Sequence, residues 1–264
     1  MADATSGSDA LPRDGRAVQQ YGSIVVVGGG CYGGYYLRQL GRAQRAGAMS
    51  WEQLLVVDRD PTCAITAAAS ADALPSFALD VATWEEFFVR YLDAAADEPE
   101  RHAHDAIVPS PLMPHLMAGW LLGRARARWP ARHVGTAALE SAPAVPWQRA
   151  GAEDTHYVSF AEWMCPINCI EPARCPHTRT ERHWSLPPAL RAYVESERAA
   201  GRALEGPYVF HCSHRAYGVG MLDVADVLAA DRAIADRGGR GAAAFLVGTA
   251  SHCHGALQRI VVGE

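Results

Sequence analysis

Three thiols and an imidazole fall within thirteen residues of this chain, in Cys165-Pro-Ile-Asn-Cys169-Ile-Glu-Pro-Ala-Arg-Cys175-Pro-His177. Cysteine thiolates and imidazoles are the side chains that hold zinc or an iron–sulfur cluster. Pro166, Pro172 and Pro176 forbid a continuous helix. The segment must wrap as a loop, which is how closely spaced ligands converge on one centre. Its spacing matches neither the CxxC zinc knuckle nor the CxxxCxxC of radical enzymes. Two shorter clusters carry the same chemistry: His211-Cys212-Ser213-His214 and His252-Cys253-His254, each beyond a short apolar run. If those runs are strands of a parallel sheet, both clusters leave it at the carboxyl edge, where open α/β sheets bind their ligands. The candidate metal ligands are therefore Cys165, Cys169, Cys175, His177, His211, Cys212, His214, His252, Cys253 and His254, with His115 a further one. Zinc held by Cys165, Cys169, Cys175 and His177 would be structural, whereas three cysteines on a four-iron cluster would leave one iron open for chemistry. The alternative is thiols that pack beneath Trp163 and Trp184. Glu171 is a candidate general base, and Arg174, Arg179, Arg182 and Arg215 a candidate clamp for a carboxylate or phosphate.

A second motif lies near the start. Ser23-Ile-Val-Val-Val27 is a β-branched run that ends in Gly28-Gly29-Gly30-Cys31-Tyr32-Gly33. A phosphate-binding turn needs a tight bend at its first glycine, close backbone approach at its second and close helix–strand packing at its third. Gly28, Gly30 and Gly33 occupy those places. The phosphates would then sit at the positive end of a helix beginning near Cys31 and Tyr32. An acid ending the second strand accepts hydrogen bonds from a ribose, and Asp58 is so placed; Asp80 ends the next strand.

Through Val27 to Gly33 and Val57-Asp58, the chain resembles the broad superfamily of NAD(P)- and FAD-binding Rossmann proteins over about residues 23–60. The resemblance implies a bound NAD or NADP: Asp58 looks like the ribose ligand of NAD-binding members, and Arg59 beside it could take a 2'-phosphate. FAD is disfavoured, because the chain is short for the extra domain of most two-dinucleotide flavoproteins. S-adenosylmethionine stays open, although the third glycine favours a dinucleotide.

These groups need a scaffold, and the hydrophobic pattern supplies one. A helix is expected over 32–46, a strand over 53–57, a strand over 77–79, a helix over 83–95 with a Thr83/Glu86 capping box, and a strand over 105–108. A helix over 112–128 and a weaker strand over 132–137 follow. Such alternation predicts an α/β, Rossmann-like, doubly wound and mostly parallel sheet. From Pro143 to Pro188 the pattern breaks into a Cys/His/Pro-rich insertion in which only 157–160 resembles a strand. A helix at 189–200, a strand at 208–210, a helix at 222–237 and a strand at 244–247 complete one domain over 23–264, behind a polar tail of 22 residues.

Composition narrows the chemistry. All 24 basic residues are arginine. The absence of lysine removes the P-loop lysine, Schiff-base and pyridoxal chemistry, and the catalytic pair of short-chain dehydrogenases. The net charge of -5, with signs interspersed, gives no footprint for nucleic acid or an anionic membrane. The opening residues lack a secretory signal, and prolines interrupt the longest apolar region, 106–123. A cytoplasmic protein is expected, so the seven cysteines are free, reactive or metal-bound. The reading is an NAD(P)-dependent oxidoreductase with a Cys/His-bound metal or iron–sulfur centre, acting on a small molecule or redox partner. The alternatives are a non-enzymatic NAD(H)- and metal-responsive sensor and, third, a methyltransferase.

Overall fold

The computed structural model describes residues 18–68, 74–111, 115–163, 165–166 and 169–264. Residues 1–17 of the expected tail lie outside that set, as do Leu112 to Pro114 at the start of an expected helix. The rest of the tail is not a tail: Gln19, Gln20 and Tyr21 pair with Met49, Ser50 and Trp51. The two glutamines are exposed, which is why no hydrophobic pattern announced them.

The chain opens with strand β1 (Gln19–Val27), helix α1 (Cys31–Arg45), β2 (Met49–Asp58), a short α2 (Ala64–Ala68), β3 (Ala78–Val81), α3 (Trp84–Asp97) and β4 (Ala106–Val108). These four strands are parallel, in the order β3-β2-β1-β4. β-branched residues buried on both faces build the central strand: Ile24 and Val26 face α1, while Val25 and Val27 face α3. The capping box at Thr83 is present, with Glu86 N donating to Thr83 Oγ1 at 3.2 Å and Thr83 N to Glu86 Oε2 at 3.2 Å.

The chain continues through α4 (Leu116–Arg128), β5 (Val134–Ala137), β6 (Trp147–Ala150), β7 (His156–Ser159), α5 (Leu186–Ala199), β8 (Glu205–His211), β9 (Ser213–Ala216), β10 (Val219–Asp223), α6 (Val224–Gly239), β11 (Ala243–Ala250) and β12 (His254–Val262). The first sheet is completed by β10, antiparallel to β4, and then β9. The remaining strands form a second sheet in the order β6-β7-β12-β11-β8, with β5 also on β12.

The molecule is thus α/β, but its strands form two sheets where one was expected. Residues 208–210 and 244–247 belong to the second sheet, and residues 219–223 form a strand where a helix was expected to begin at 222. The physical reason is legible: Val219, Met221 and Leu222 are all buried, and a short run buried on both faces has no period that separates strand from helix. Helices α3, α4 and α6 fill the space between the sheets, packing Val25, Val27 and Ile107 of the first against Phe245, Val247 and Ile260 of the second. Helix α1 covers the outer face of the first sheet and α5 that of the second. No described helix is long and apolar enough to cross a membrane.

One connection positions the site. The chain leaves β8 in the second sheet at His211, passes through Cys212 and enters β9 in the first at Ser213. The first Cys/His cluster is therefore the seam between the sheets, and Cys212 N donates to Ala250 O at 2.8 Å, at the end of β11.

Candidate functional site

The three glycines of the turn have separate structural roles. Gly28 bends the chain at φ +91° and its amide donates to Val57 O at 2.9 Å. A Cβ on Gly33 would stand 1.9 Å from Gly28 O, so only glycine lets α1 approach the turn. Gly30 is exposed, and a Cβ there would meet nothing within 4 Å. Cys31 and Tyr32 are exposed at the start of α1, whose first turn carries no acid to neutralise the helix's positive end. Asp58 fastens the turn to β2, accepting from Gly29 N at 2.7 Å and Asp60 N at 3.0 Å. It remains half-exposed, and each oxygen keeps a lone pair for a further donor. Asp80 is instead paired with Arg90 of α3 at 2.6 Å.

Residues 160–184, where described, contain no helix and no strand beyond an isolated bridge between Arg174 and Glu181. Two side chains substitute for the missing backbone ladder. Arg182 donates to the carbonyls of Glu171, Pro172 and Trp184 at 2.9, 3.3 and 3.4 Å. Glu171, held at φ +49°, accepts from Ser251 Oγ at 2.6 Å, His252 N at 3.0 Å and Cys253 N at 3.1 Å. It thus clamps the β11–β12 turn, which carries the second Cys/His cluster, to the cysteine loop. Burial raises the Glu171 pKa, but the hydrogen bonds from Ser251, His252 and Cys253, with His214 nearby, outweigh it and hold the carboxyl below its ordinary value. Of the four arginines expected to clamp an anion, Arg174, Arg182 and Arg215 make contacts within the protein, and Arg179 is exposed. Arg215 is bidentate to Asp223 at 2.6 Å on both oxygens, and Arg174 donates to Arg179 O at 2.8 Å.

A cavity of about 630 Å³ lies at this junction. Tyr32 and Tyr36 of α1 form one wall, and Cys165, Cys169, Glu171, His214 and His254 face it across the space. His214 Nδ1 is 2.9 Å from Gly218 O, which can only accept, so that nitrogen carries a proton and the neutral ring has its lone pair on Nε2. Ser159 Oγ donates to Ala161 O, so His254 Nδ1, 2.9 Å from that oxygen, must be the donor there. Its Nε2 is likewise left with a lone pair, and burial pushes its pKa down. The cavity therefore gathers two thiols, two imidazoles with available Nε2 atoms and a carboxylate. Such a set suits metal ligation or proton transfer.

Other predicted ligands lie around this wall. Cys175 is buried and its thiol accepts hydrogen bonds from the Thr178 amide and hydroxyl and the His177 amide, which with the nearby Arg182 outweigh burial and lower its pKa. Cys165 is raised by burial and by the neighbouring Cys169 thiol, with Cys175 and Glu171 also close. Burial takes Cys253 up to about 12, although Trp184 Nε1 donates to its sulfur at 3.3 Å. His211 and His252 stand edge to face with ring centroids 4.8 Å apart. Burial takes Cys212 up to about 12. His177 is exposed and lies flat on Trp163 at 4.5 Å. Among the described residues, no three His, Cys, Asp or Glu side chains stand close enough as oriented to hold one metal ion.

Sequence reasoning missed Tyr36, Ser159 and Ser251 on this cavity. Tyr36 had a readable signal, being one helical turn beyond Tyr32 on the same face of α1. His115 is elsewhere, at the head of α4 and in a second cavity. Neither of its ring nitrogens has a hydrogen-bond partner among the described residues, and burial pushes its pKa down to about 4. The unfolded chain takes up a proton near pH 6.5 that the folded ring refuses until about pH 4, so stability present at pH 7 is lost as pH falls through that window. Urea denaturation should register a loss of about 3 kcal/mol from this ring between pH 7 and pH 4. His115→Phe should flatten that part of the profile; an unchanged slope would place the titration on other groups.

The fold and site define an α/β protein with a thiol- and imidazole-lined cavity where its two sheets meet. Residues 117–263 match the family AF_1314_C, described as an uncharacterized protein, C-terminal domain, and the chain belongs to that family. The match spans α4 to β12, with all three Cys/His clusters, and excludes the glycine turn. No curated protein and no solved structure matches the chain.

Proposed function

We propose that this protein binds NAD or NADP at the glycine turn and is an oxidoreductase whose cysteine loop holds zinc or an iron–sulfur cluster. The observation that carries this reading is the single cavity shared by the first two turns of α1 and by Cys165, Cys169, His214 and His254. It would set a dinucleotide and a metal centre side by side. The strand order β3-β2-β1-β4 supports it, being that of the dinucleotide-binding half of a Rossmann fold. So does the division of labour among the glycines: Gly28 bends, Gly33 packs against the turn, and Gly30 leaves space at a helix N-terminus for phosphate oxygens.

Asp58 and the turn amides would hold the dinucleotide, whose nicotinamide supplies hydride transfer. Cys165, Cys169, Cys175 and Cys253 would hold the metal or cluster, with side-chain rotation bringing the sulfurs together. His254 or His214 would exchange a proton through Nε2. The test is NADH oxidation with an artificial dye by anaerobically purified protein, together with its iron, sulfide and zinc content. Turnover and stoichiometric metal that Cys165→Ser with Cys169→Ser removes are expected. Tight NADH binding with no oxidation by any dye would replace the enzyme with a sensor, and metal-free protein would end the metal proposal.

A further inference from the structure

The second cavity lies outside the site described above and has a volume of about 650 Å³, within the range of small-molecule pockets. Its floor is one face of α4, on which Leu116, Gly119, Gly123 and Ala127 recur at helical spacing. Glycine is among the poorest helix formers, yet two stand inside this helix. Neither is there to let protein approach, because a Cβ on Gly119 or on Gly123 would meet nothing within 4 Å. Both glycines therefore weaken the helix and leave a cleared space. Phe88 and Trp120 form one wall and Tyr157 faces them.

Three polar groups, Thr155, Gln258 and His115, give the space a chemical preference. Thr155 and Gln258 line it and are 8% and 6% exposed. Gln258 donates through Nε2 to Glu153 O at 2.9 Å, which leaves its Oε1, like the Thr155 hydroxyl, free to accept from a ligand in the cavity. His115 also lines the space, and both its ring nitrogens are buried without a partner among the described residues, which is unfavourable until a ligand supplies one. The rim carries Glu85 and Glu153 as its acidic charges beyond Asp93, which is paired with arginine. The one arginine, Arg124, already pairs with Asp93 and Asp231 at 3.4 and 3.2 Å.

We propose that this cavity binds a small aromatic molecule that carries a ring N–H or O–H and no negative charge. The ring lies over Gly119 and Gly123 between Trp120 and Tyr157. Its N–H or O–H donates to Gln258 Oε1 or Thr155 Oγ1, and a basic substituent is met by the acidic rim. Tyr157 belongs to β7, and Ser159, two residues on and about 7 Å along the same face of the strand, lines the other cavity. Nothing in this cavity requires a dinucleotide in the other.

Tryptamine and indole-3-acetate share a ring and differ in charge, so calorimetric titration of the full chain with each tests the assignment. Saturable tryptamine binding, at least tenfold tighter than that of indole-3-acetate, is expected. Gly119→Leu and Gly123→Leu should each raise the unfolding midpoint by a few degrees and weaken tryptamine binding more than tenfold. A misfolded variant could not produce these opposite signs. Thr155→Val should weaken binding without lowering the midpoint by more than a degree or two. Absence of saturable binding, equal binding of the two indoles, or tryptamine binding untouched by both leucines would overturn the proposal. So would leucine variants that only convert a dimer to a monomer in sedimentation, which would make the cleared face a contact between copies.

Discussion

Gly33→Ala is expected to cost on the order of 3 kcal/mol or more in urea denaturation and to abolish dinucleotide binding. The new methyl would stand 1.9 Å from Gly28 O, a backbone atom that cannot swing aside. Relief requires α1 to retreat from β1, and Leu37, Leu40 and Ala43 pack that helix on the sheet. Gly30→Ala is the control. Its methyl meets no protein atom within 4 Å, and Gly30 has φ −81°, open to any residue. Its cost should be only about 0.5–1 kcal/mol, the difference between glycine and the poorer N-cap alanine. Equal stabilities for the two variants would contradict the close approach of helix and turn.

The second large effect is expected at Glu171. Glu171→Ala removes the acceptor for Ser251 Oγ and for the amides of His252 and Cys253, and it unfastens the β11–β12 turn from the cysteine loop. The His252 amide loses its acceptor in a half-buried setting, while the Cys253 amide keeps Ser251 Oγ at 3.2 Å, so a loss of about 2 kcal/mol is expected. Loss of any bound metal should accompany it, because Cys253 and the loop cysteines come from the two segments that Glu171 joins. Glu171→Gln should fall between: its oxygen can still accept from Ser251 and Cys253, but its amide group turns a donor toward His252 N. Chemical denaturation and metal content, measured on both variants, read the two effects separately. Glutamine as damaging as alanine would mean that the His252 contact dominates the clamp.

The first half of the fold was readable because its strands are short β-branched runs and its helices are amphipathic, punctuated by glycines and by the Thr83 cap. The second half was hidden for particular reasons. β9 and β10 lie in Ser213-His-Arg-Ala216 and Val219-Gly-Met-Leu-Asp223, the first too polar and the second too uniformly buried to show a period of two. β6 is exposed along its whole length, so Trp147-Gln-Arg-Ala150 carries no apolar alternation. β12 carries a β-branched run only at its end, Ile260-Val-Val262, behind a polar and glycine-containing start.

In the site, residue types were legible and roles were not. Glu171 reads in sequence as a free carboxylate beside three cysteines, yet its contacts with residues 251–253 make it a clamp. Arg182 reads as an anion ligand and is the hub of its own loop. Both roles depend on contacts between segments far apart in sequence or on carbonyls that a loop exposes only once folded. That the seam of two sheets would bring His214 beside His254 depended on topology, which no local pattern encodes.

The central claim is that the glycine turn holds a dinucleotide beside the Cys/His cavity, and Gly30→Val tests it most directly. NADH fluorescence titration should give saturable binding at one molecule per chain for the parent. For Gly30→Val, whose side chain would fill the space left for phosphate, binding should weaken at least a hundredfold while the unfolding midpoint falls by no more than the few degrees that a poorer helix N-cap costs. Binding of NADH with the same affinity by both proteins, or by neither, would contradict it.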